Sequence, residues 1–374
     1  MTPSRWLFFI TIATCTGITL VTPSAGAVSR SFFLAFLLVT VLTWRAGMRG
    51  VVVGLFFVAG MAVRSAGAVP VPIPQPTWLV HGRSVFVQTL ARAIPDREAQ
   101  LGAGMLLGVT DGVDKQTMQN FRTDGLTHVV AVSGSNLSLI LTALSMFGLT
   151  MLARRWRVVV TVLVAAGFTI FTGGEPSMIR AAFMAFLAVL VASCGRRPGG
   201  TNTLCAAVLL MLVWDPTLLW ESIGFQLSAA ATFGLVAFSE PLTVLLQRGR
   251  VPGAVLLGAT LGATLTTMPI ILLTFQQVSL VGPLANLLVV PLVPFIMVSV
   301  AVTGLAGLLM PFLGQIAGIA AWALLRSVEW ITATAARLPA ASLTLARRDA
   351  IFLASFTFLW LVLYGRRHAR QLFD

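Results

Sequence analysis

Apolar runs long enough to cross a lipid bilayer recur along almost the whole chain and constrain its fold more than any other feature. A helical span needs about 17–25 mostly apolar residues. Charged residues make up only 10% of the 374 residues, against about 25% in a soluble domain. A chain with so little charge cannot cover itself with a polar surface. We therefore expect an all-α, polytopic membrane protein with roughly 10–12 transmembrane helices and short amphipathic helices at the interface.

The expected spans and the basic residues between them predict a topology. The apolar runs lie near residues 6–22, 30–44, 50–66, 127–152, 157–173, 177–194, 201–218, 223–246, 254–275, 280–309, 313–332 and 350–365. The net charge is +13, and cytoplasmic loops collect arginine and lysine. Five basic clusters fall in alternate loops, at residues 45–49, 154–157, 196–197, 248–250 and 366–370. This pattern places both termini in the cytoplasm and leaves Arg347 and Arg348 outside.

Composition divides the chain into four segments. We expect N-terminal transmembrane helices in residues 1–67 and a Pro-rich external linker in residues 68–83. The main transmembrane domain would then be 84–332, followed by a C-terminal helix and basic tail in 333–374. Residues 1–27 also have the pattern of a cleavable signal peptide. Because further spans follow at once, we favour an uncleaved first helix.

Three short segments after the linker carry polar residues too often for burial in lipid. Residues 84–94, 97–109 and 115–126 are predicted to be amphipathic helices along the outer interface. The basic residues of this region would form an outer basic rim, made of Arg83, Arg92, Arg97, Lys115 and Arg122. A solvated helix face is one interpretation of these charges. A vestibule that gathers a polyanion is the sharper hypothesis.

Polar side chains inside the apolar runs are candidates for a functional path, because such groups usually face a bundle interior or water. The stretch HVVAVSGSNLSLI (128–140) contributes His128, Ser133, Ser135 and Asn136. Small and polar residues of this kind also support close helix packing. For this stretch, packing and a polar path both stay open.

Two further stretches place charged or amide groups near the starts of spans. GGEPSMIRAA (173–182) puts Arg180 one turn into a span. Arg180 either snorkels to the headgroups or holds a positive charge at the mouth of a path, with Glu175 or Glu221 as its partner. WESIGFQLS (220–228) contributes Glu221, Gln226 and Ser228. Glu221 has an alternative role at the positive end of the following helix dipole.

A proline-rich span supplies the last candidate. FQQVSLVGPLANLLVVPLVP (275–294) contains Asn286 and three prolines. Because proline removes a backbone donor, we expect an interrupted helix, and interrupted membrane helices often line a substrate path. A simple proline kink is the alternative.

The sequence predicts no catalytic centre, no metal site and no cofactor. His81, His128 and His368 lie far apart, and the three cysteines lack the spacing of metal ligands. No GxxxxGK[ST] nucleotide-binding motif occurs.

Four stretches, in this order, together resemble the competence domain of the ComEC DNA-internalisation family. They are GLTHVVAVSGSNLSLI (125–140), EPSMIRAAFMA (175–185), DPTLLWESIGFQLSAAATFGL (215–235) and TTMPIILLTFQQVSLVGPLANLLVVPLVP (266–294). The resemblance covers residues 84–330 and makes 84–332 a competence-type channel domain. It implies a multi-pass channel in the inner (cytoplasmic) membrane of a bacterium, which passes single-stranded DNA into the cytoplasm during natural transformation.

The resemblance also implies site residues and partners. It assigns to the family's motif positions His128, Ser133, Gly134, Asn136, Arg180, Gly224, Gln226, Ser228 and Asn286. We expect the polar members of this set, with Ser135 and Glu221 beside them, to line the DNA path. Partners would be single-stranded DNA and membrane lipid, a separate external DNA receptor, a nuclease and a cytoplasmic ATP-driven motor. A homo-oligomer is compatible with this role.

Two details follow from the same resemblance. The chain would be a short form, without the metallo-β-lactamase-like domain of long family members. Phe121, Trp220 and Phe225 are candidates for stacking on bases, although a membrane-interface belt is the commoner role of such residues.

Two other functions stay open from the residues themselves. A secondary transporter of a small anion would use Arg180 and the interrupted helix equally well. An intramembrane serine protease would use Ser133 as its nucleophile, which needs a base within hydrogen-bond reach. His128 lies five residues upstream, about 140° away around a helix, so the protease is the weaker alternative.

Overall fold

The computed structural model describes residues 75–130, 134–146, 151–193, 199–215 and 217–373. These residues are almost entirely helical, with one antiparallel pair of short strands. Within them, four stretches are long and apolar enough to cross a membrane, at Ile223–Arg248, Ala254–Phe275, Gly282–Leu309 and Pro311–Ala336. The expected all-α, polytopic membrane fold is confirmed, and the strand pair is an addition to it. The spans expected before residue 75 lie outside the described residues.

The elements are numbered in chain order. The first eight helices are α1 Thr77–Ala93, α2 Asp96–Leu107, α3 Lys115–Thr123, α4 Thr127–Val130, α5 Gly134–Met146, α6 Arg154–Phe171, α7 Pro176–Ser193 and α8 Gly200–Trp214. The remaining elements are α9 Leu218–Glu221, α10 Ile223–Arg248, α11 Ala254–Phe275, β1 Gln277–Ser279, α12 Gly282–Val289, α13 Val293–Leu309, α14 Pro311–Ala336, β2 Ser342–Thr344 and α15 Arg347–Phe373. The two strands pair with Val278 opposite Leu343.

The three short helices expected after residue 83 are present as α1, α2 and α3. Helix α1 begins at Thr77, so residues 77–83 are helical and not part of a linker. Helix α2 does not lie on a surface. Most of α2 is buried, and it packs against α1, α4, α13 and α14. Small residues explain this position, because a Cβ at Gly102 would lie only 3.1 Å from a methyl of Val300. The run LGAG (101–104) therefore lets the α2 backbone approach α13 closely.

The proline-rich span stays helical and is not an unwound segment. A single 3-10 turn, Val290–Leu292, joins α12 to α13. The backbone dihedrals stay right-handed helical at both ends of this turn, with φ −59° and ψ −39° at Val290 and φ −53° and ψ −47° at Val293. The prolines thus tighten one turn. The expectation of a discontinuous, unwound helix is wrong, because the span continues through one 3-10 turn.

Buried apolar side chains form separate clusters between the helices. The largest cluster joins α1–α4 with α12–α14 and includes Leu90, Leu101 and Leu325. A second joins α7, α8 and α10, and a third joins α5, α6 and α7. Large apolar side chains elsewhere point outward, and Phe295 and Phe312 are 65% and 69% exposed. Such a surface suits contact with lipid tails.

Helices α10 and α11 pack with their backbones close together, and two glycines allow it. A Cβ at Gly234 would lie 2.2 Å from the carbonyl oxygen of Gly262 and 2.3 Å from Thr266 Oγ1. The Thr266 hydroxyl donates across the pair to the Ala230 carbonyl at 2.8 Å. Small residues at a membrane helix interface permit this kind of backbone approach.

We expect Gly234→Ala to destabilise the protein by about 1–3 kcal/mol, because overpacking outweighs the roughly 1 kcal/mol helix preference of alanine. Gly167→Ala is the matched control, since a Cβ at this position in α6 meets nothing within 4 Å. It should be neutral or slightly stabilising. Thermal unfolding of the purified variants in detergent measures both effects. Equal unfolding temperatures for the two variants would contradict the close approach.

Candidate functional site

The candidate site is built around Arg180, in the second turn of α7, where the guanidinium is held by neutral groups. Arg180 is only 8% exposed. Its Nε donates to Ser228 Oγ at 2.9 Å, and its Nη1 donates to Thr232 Oγ1 and lies 3.4 Å from Met184 Sδ. Ser228 and Thr232 lie one turn apart on the same face of α10. The guanidinium therefore joins α7 to α10.

A third helix reaches the same guanidinium at Gly134, the first residue of α5. A Cβ at Gly134 would lie 3.2 Å from Arg180 Nη2 and 2.8 Å from the Cβ of Ala181. A larger residue would collide with α7. Three of the four sequence stretches with polar motifs, 125–140, 175–185 and 215–235, thus meet at one side chain. Of the candidates for the path, the structure brings Ser228 into contact with Arg180. That the candidates line one path stays a prediction.

The carboxylate partners expected for Arg180 are not beside it. Glu175 and Glu221 are both exposed. Among the described residues, no carboxylate oxygen lies within 4.0 Å of the Arg180 guanidinium. The snorkelling alternative also fails, because the side chain is enclosed by protein. The site holds a buried positive charge that the described chain does not neutralise.

Asn136 ties two helices together. It is 3% exposed, and its Nδ2 donates to the carbonyl oxygen of Met105 at 2.8 Å. Met105 lies in the last turn of α2, where carbonyl groups have no partner within the helix. The Asn136 amide satisfies one of them and joins α5 to α2. This contact supports the packing interpretation for Asn136.

The other residues of the opening stretch are placed less fully. Ser133 lies outside the described residues, and so does the side chain of Ser135. His128 is exposed on α4 and makes no described hydrogen bond to Arg180. The serine protease alternative depends on Ser133 and is therefore not tested by the structure.

The start of α10 is organised by hydrogen bonds to the backbone. Gln226 Nε2 donates to the Leu219 carbonyl at 2.7 Å, which connects α9 to α10. Ser222 Oγ accepts from the Phe225 backbone N–H at 3.1 Å and caps α10. Glu221 is exposed at the end of α9, so the capping side chain is that of Ser222 and not that of Glu221.

Asn286 lies apart from Arg180, on α12. Its side chain is half-buried, and its Oδ1 has no hydrogen-bond partner among the described residues. No described contact joins it to the Arg180 site. Within the same part of the chain, no three His, Cys, Asp or Glu side chains come together as a metal site would require.

Two of the aromatic candidates belong to the core. Phe121 is fully buried in the largest apolar cluster, and Phe225 is 2% exposed in the cluster of α7, α8 and α10. Neither can stack on a base or lie at a membrane interface in this conformation, so both expected roles are wrong for them. The side chain of Trp220 lies outside what the structure describes.

The outer basic rim divides into paired and unpaired members. Arg97 Nε lies 3.1 Å from Glu329 Oε1, and its Nη2 lies 3.7 Å from Asp114 Oδ2. Glu329 is also 3.3 Å from Arg326. The charge of Arg97 is thus already compensated by carboxylates.

The other rim residues have no carboxylate partner among the described residues. Arg83 donates to Gln75 Oε1 and is half-buried. Arg92, Lys115 and Arg122 are exposed. These three are the rim members with charge available to a polyanion.

Asp124 is a buried charged residue that the sequence analysis did not single out. It lies between α3 and α4, is 0% exposed, and neither carboxyl oxygen has a hydrogen-bond partner among the described residues. Burial without compensation raises the pKa of the Asp124 carboxyl to about 7. In the sequence, its burial could have been inferred from its position between Phe121 and Leu126, two apolar residues at a helix end.

Two curated proteins are similar to part of this chain. ComE operon protein 3 of Bacillus subtilis (strain 168) is 26% identical over 193 residues, which cover 51% of this chain and 24% of that protein. The uncharacterized protein YcaI of Escherichia coli (strain K12) is 28% identical over 225 residues, covering 57% of this chain and 29% of that protein. The chain thus spans about a quarter of the length of these curated relatives.

No solved structure matches the chain. The family described as competence protein matches residues 105–370, well over half of the chain. The matched range contains Arg180 and the residues of α5 and α10 that surround it. This polytopic membrane protein therefore belongs to the competence protein family.

Proposed function

We propose that this protein is a channel of the bacterial inner membrane that passes single-stranded DNA into the cytoplasm during natural transformation. One observation supports the proposal most directly. A buried arginine with no described carboxylate partner lies where three polar stretches of membrane helices meet. The membership of the competence protein family supplies the biological setting.

The physical requirement is a route for charge. A DNA strand carries one negative charge per nucleotide, and burying an uncompensated charge in hydrocarbon is prohibitive. A passage must therefore offer water, hydrogen-bond donors or cations. Arg180 offers a guanidinium inside the bundle, and the exposed Arg92, Lys115 and Arg122 add positive charge outside it. Basic side chains that contact phosphates give affinity without regard to base sequence.

This role is transport and not catalysis. The channel would act with a separate external DNA receptor, a nuclease and a cytoplasmic ATP-driven motor, in contact with membrane lipid and with the single strand itself. A homo-oligomer is compatible with the proposal.

The experiment is deletion of the gene followed by a transformation assay that separates DNA bound at the cell surface from DNA in the cytoplasm. Cells without the protein should bind labelled DNA normally and should accumulate none of it inside. A plasmid copy of the wild-type gene should restore import. Normal import in the deletion strain would reject the channel role.

A small-anion transporter is the second candidate, because an arginine without a described carboxylate partner also suits a small anion. Salt dependence separates the two. Binding of a single strand should weaken steeply with salt, since each phosphate contact adds about 0.7 to the slope of log K against log salt concentration. Tight binding of one small anion with a shallow slope would favour the transporter.

A further inference from the structure

We propose that Arg180, held between α7 and α10, forms a binding site for a single phosphate group of the DNA backbone. The inference rests on the proposed function and specifies it, because it names the chemical group that this part of the passage recognises. The site would contact one phosphodiester at a time and would ignore the base.

The first argument is the charge of the site. The guanidinium is enclosed by protein, and its neighbours are two hydroxyls, a thioether and helix backbone. Hydroxyls orient a guanidinium but do not neutralise it. Buried charges in proteins are normally paired, because the desolvation penalty is large. A passing anion would supply the missing partner.

The second argument is the remaining donor of the guanidinium. Nε and Nη1 donate to Ser228 and Thr232, whereas Nη2 has no described hydrogen bond and lies near Gly134. A buried donor without an acceptor is costly. An anion that accepts from Nη2 would remove this cost.

The third argument is preorganisation. Thr232 Oγ1 itself donates to the Ser228 carbonyl at 2.9 Å, so the hydroxyl that accepts from Nη1 is fixed by its own helix. The planar guanidinium is held at Nε and Nη1, so its Nη2 points in a fixed direction. Nη2 can donate to a phosphate oxygen, and a hydrogen bond between two charged groups is a strong one. Contacts to phosphate carry no sequence information, as a general uptake channel requires.

The first test measures binding of an oligothymidylate to the purified full chain in zwitterionic nanodiscs over a range of salt concentrations. Arg180→Gln should weaken binding and lower the slope of log K against log salt by about 0.7, the value for one phosphate contact of a single strand. Arg180→Lys should keep the slope. Arg248→Gln is the matched control, because it removes the same charge 20 residues along α10 from Ser228, about 30 Å away. It should leave slope and affinity unchanged.

The second test needs no DNA. The unfolding temperature of the full chain is compared in phosphate and in chloride at equal ionic strength. The wild type and Arg248→Gln should gain stability from phosphate, and Arg180→Gln should lose that gain. If Arg180→Gln does not fold, Thr232→Val replaces it, because this variant keeps the guanidinium and releases its orientation. A weaker phosphate gain in Thr232→Val supports the site.

The outcomes separate this inference from the channel role. An unchanged salt slope and an unchanged phosphate gain in the Arg180 and Thr232 variants would overturn the phosphate site, and Arg180 would then be only a tie between α7 and α10. If phosphate raises the unfolding temperature only when Arg180 is present, and deletion of the gene still leaves DNA import intact, the channel role is rejected. The anion site would then remain. Stabilisation by phosphatidylglycerol nanodiscs without any oligonucleotide binding would assign the site to a lipid headgroup and overturn the DNA assignment.

Discussion

Replacement of Arg180 by alanine is expected to reduce DNA import by about 10–100-fold, because hydrogen bonds to a charged group contribute about 1.5–3 kcal/mol. The variant removes the buried positive charge and leaves the hydroxyls of Ser228 and Thr232 without their donor. Surface binding of DNA should stay normal, since the exposed basic residues are unchanged. The measurement is internalised label per cell in the deletion strain that carries each variant.

The controls for this prediction separate transport from folding. The amount of Arg180→Ala protein in the membrane fraction is measured beside import, because the residue also joins α7 to α10. Arg180→Lys keeps the charge but not the forked geometry, so import should fall less than with alanine. Arg248→Ala, at the far end of α10, should import normally. Wild-type import by Arg180→Ala at normal protein levels would remove Arg180 from the DNA path.

The fold was largely predictable because span length and apolar composition are strong local signals. The boundaries expected for α10 and α11, 223–246 and 254–275, nearly coincide with Ile223–Arg248 and Ala254–Phe275. The burial of α2 was not predictable in the same way. Its charged first turn suggests a surface helix. The burial depends instead on Gly102, which lies against Val300 of α13 and Leu325 of α14, residues far away in the sequence.

The candidate site was predictable in its members and not in its contacts. Arg180 and Ser228 were predicted as site residues from separate stretches, and Arg180 Nε lies 2.9 Å from Ser228 Oγ. Glutamates were expected as the partners of Arg180, because opposite charges usually pair, but its partners are hydroxyls. Asn136 lay among the candidates for the path, yet its amide satisfies an α2 carbonyl. Such distinctions depend on the direction of a side chain, which periodicity in one helix does not give.

Asp124→Asn is expected to stabilise the protein at pH 8 and to have little effect near pH 4. Desolvation raises the pKa of the Asp124 carboxyl from 3.8 to about 7 in the folded protein, and no described side chain offsets this by a charge or a hydrogen bond. Well below pH 3.8 the carboxyl is neutral in both the folded and the unfolded chain. Between pH 4 and 7 the folded state binds a proton that the unfolded state lacks, so stability falls as pH rises.

Above pH 7 the carboxyl is ionised in both states, and the folded protein bears the full penalty of a buried charge. The size of that penalty is about 4 kcal/mol at most. Asparagine has nearly the same shape and no charge, so the variant should lack this part of the pH dependence. Thermal or denaturant unfolding of wild type and variant in detergent, from pH 4 to 8, measures the difference.

The difference between the two proteins isolates Asp124, because all other titrating groups are common to both. Asp111→Asn is the matched control, since Asp111 is an exposed aspartate at the other end of α3, in the segment between α2 and α3. It should give a stability difference that is small at every pH. A wild type and an Asp124→Asn variant whose unfolding curves stay parallel from pH 4 to 8 would contradict the uncompensated burial of this carboxyl. A variant less stable than wild type at pH 8 would indicate that the ionised carboxylate has a cationic or donor partner in the folded protein, because only such a partner makes the charged form the more stable one.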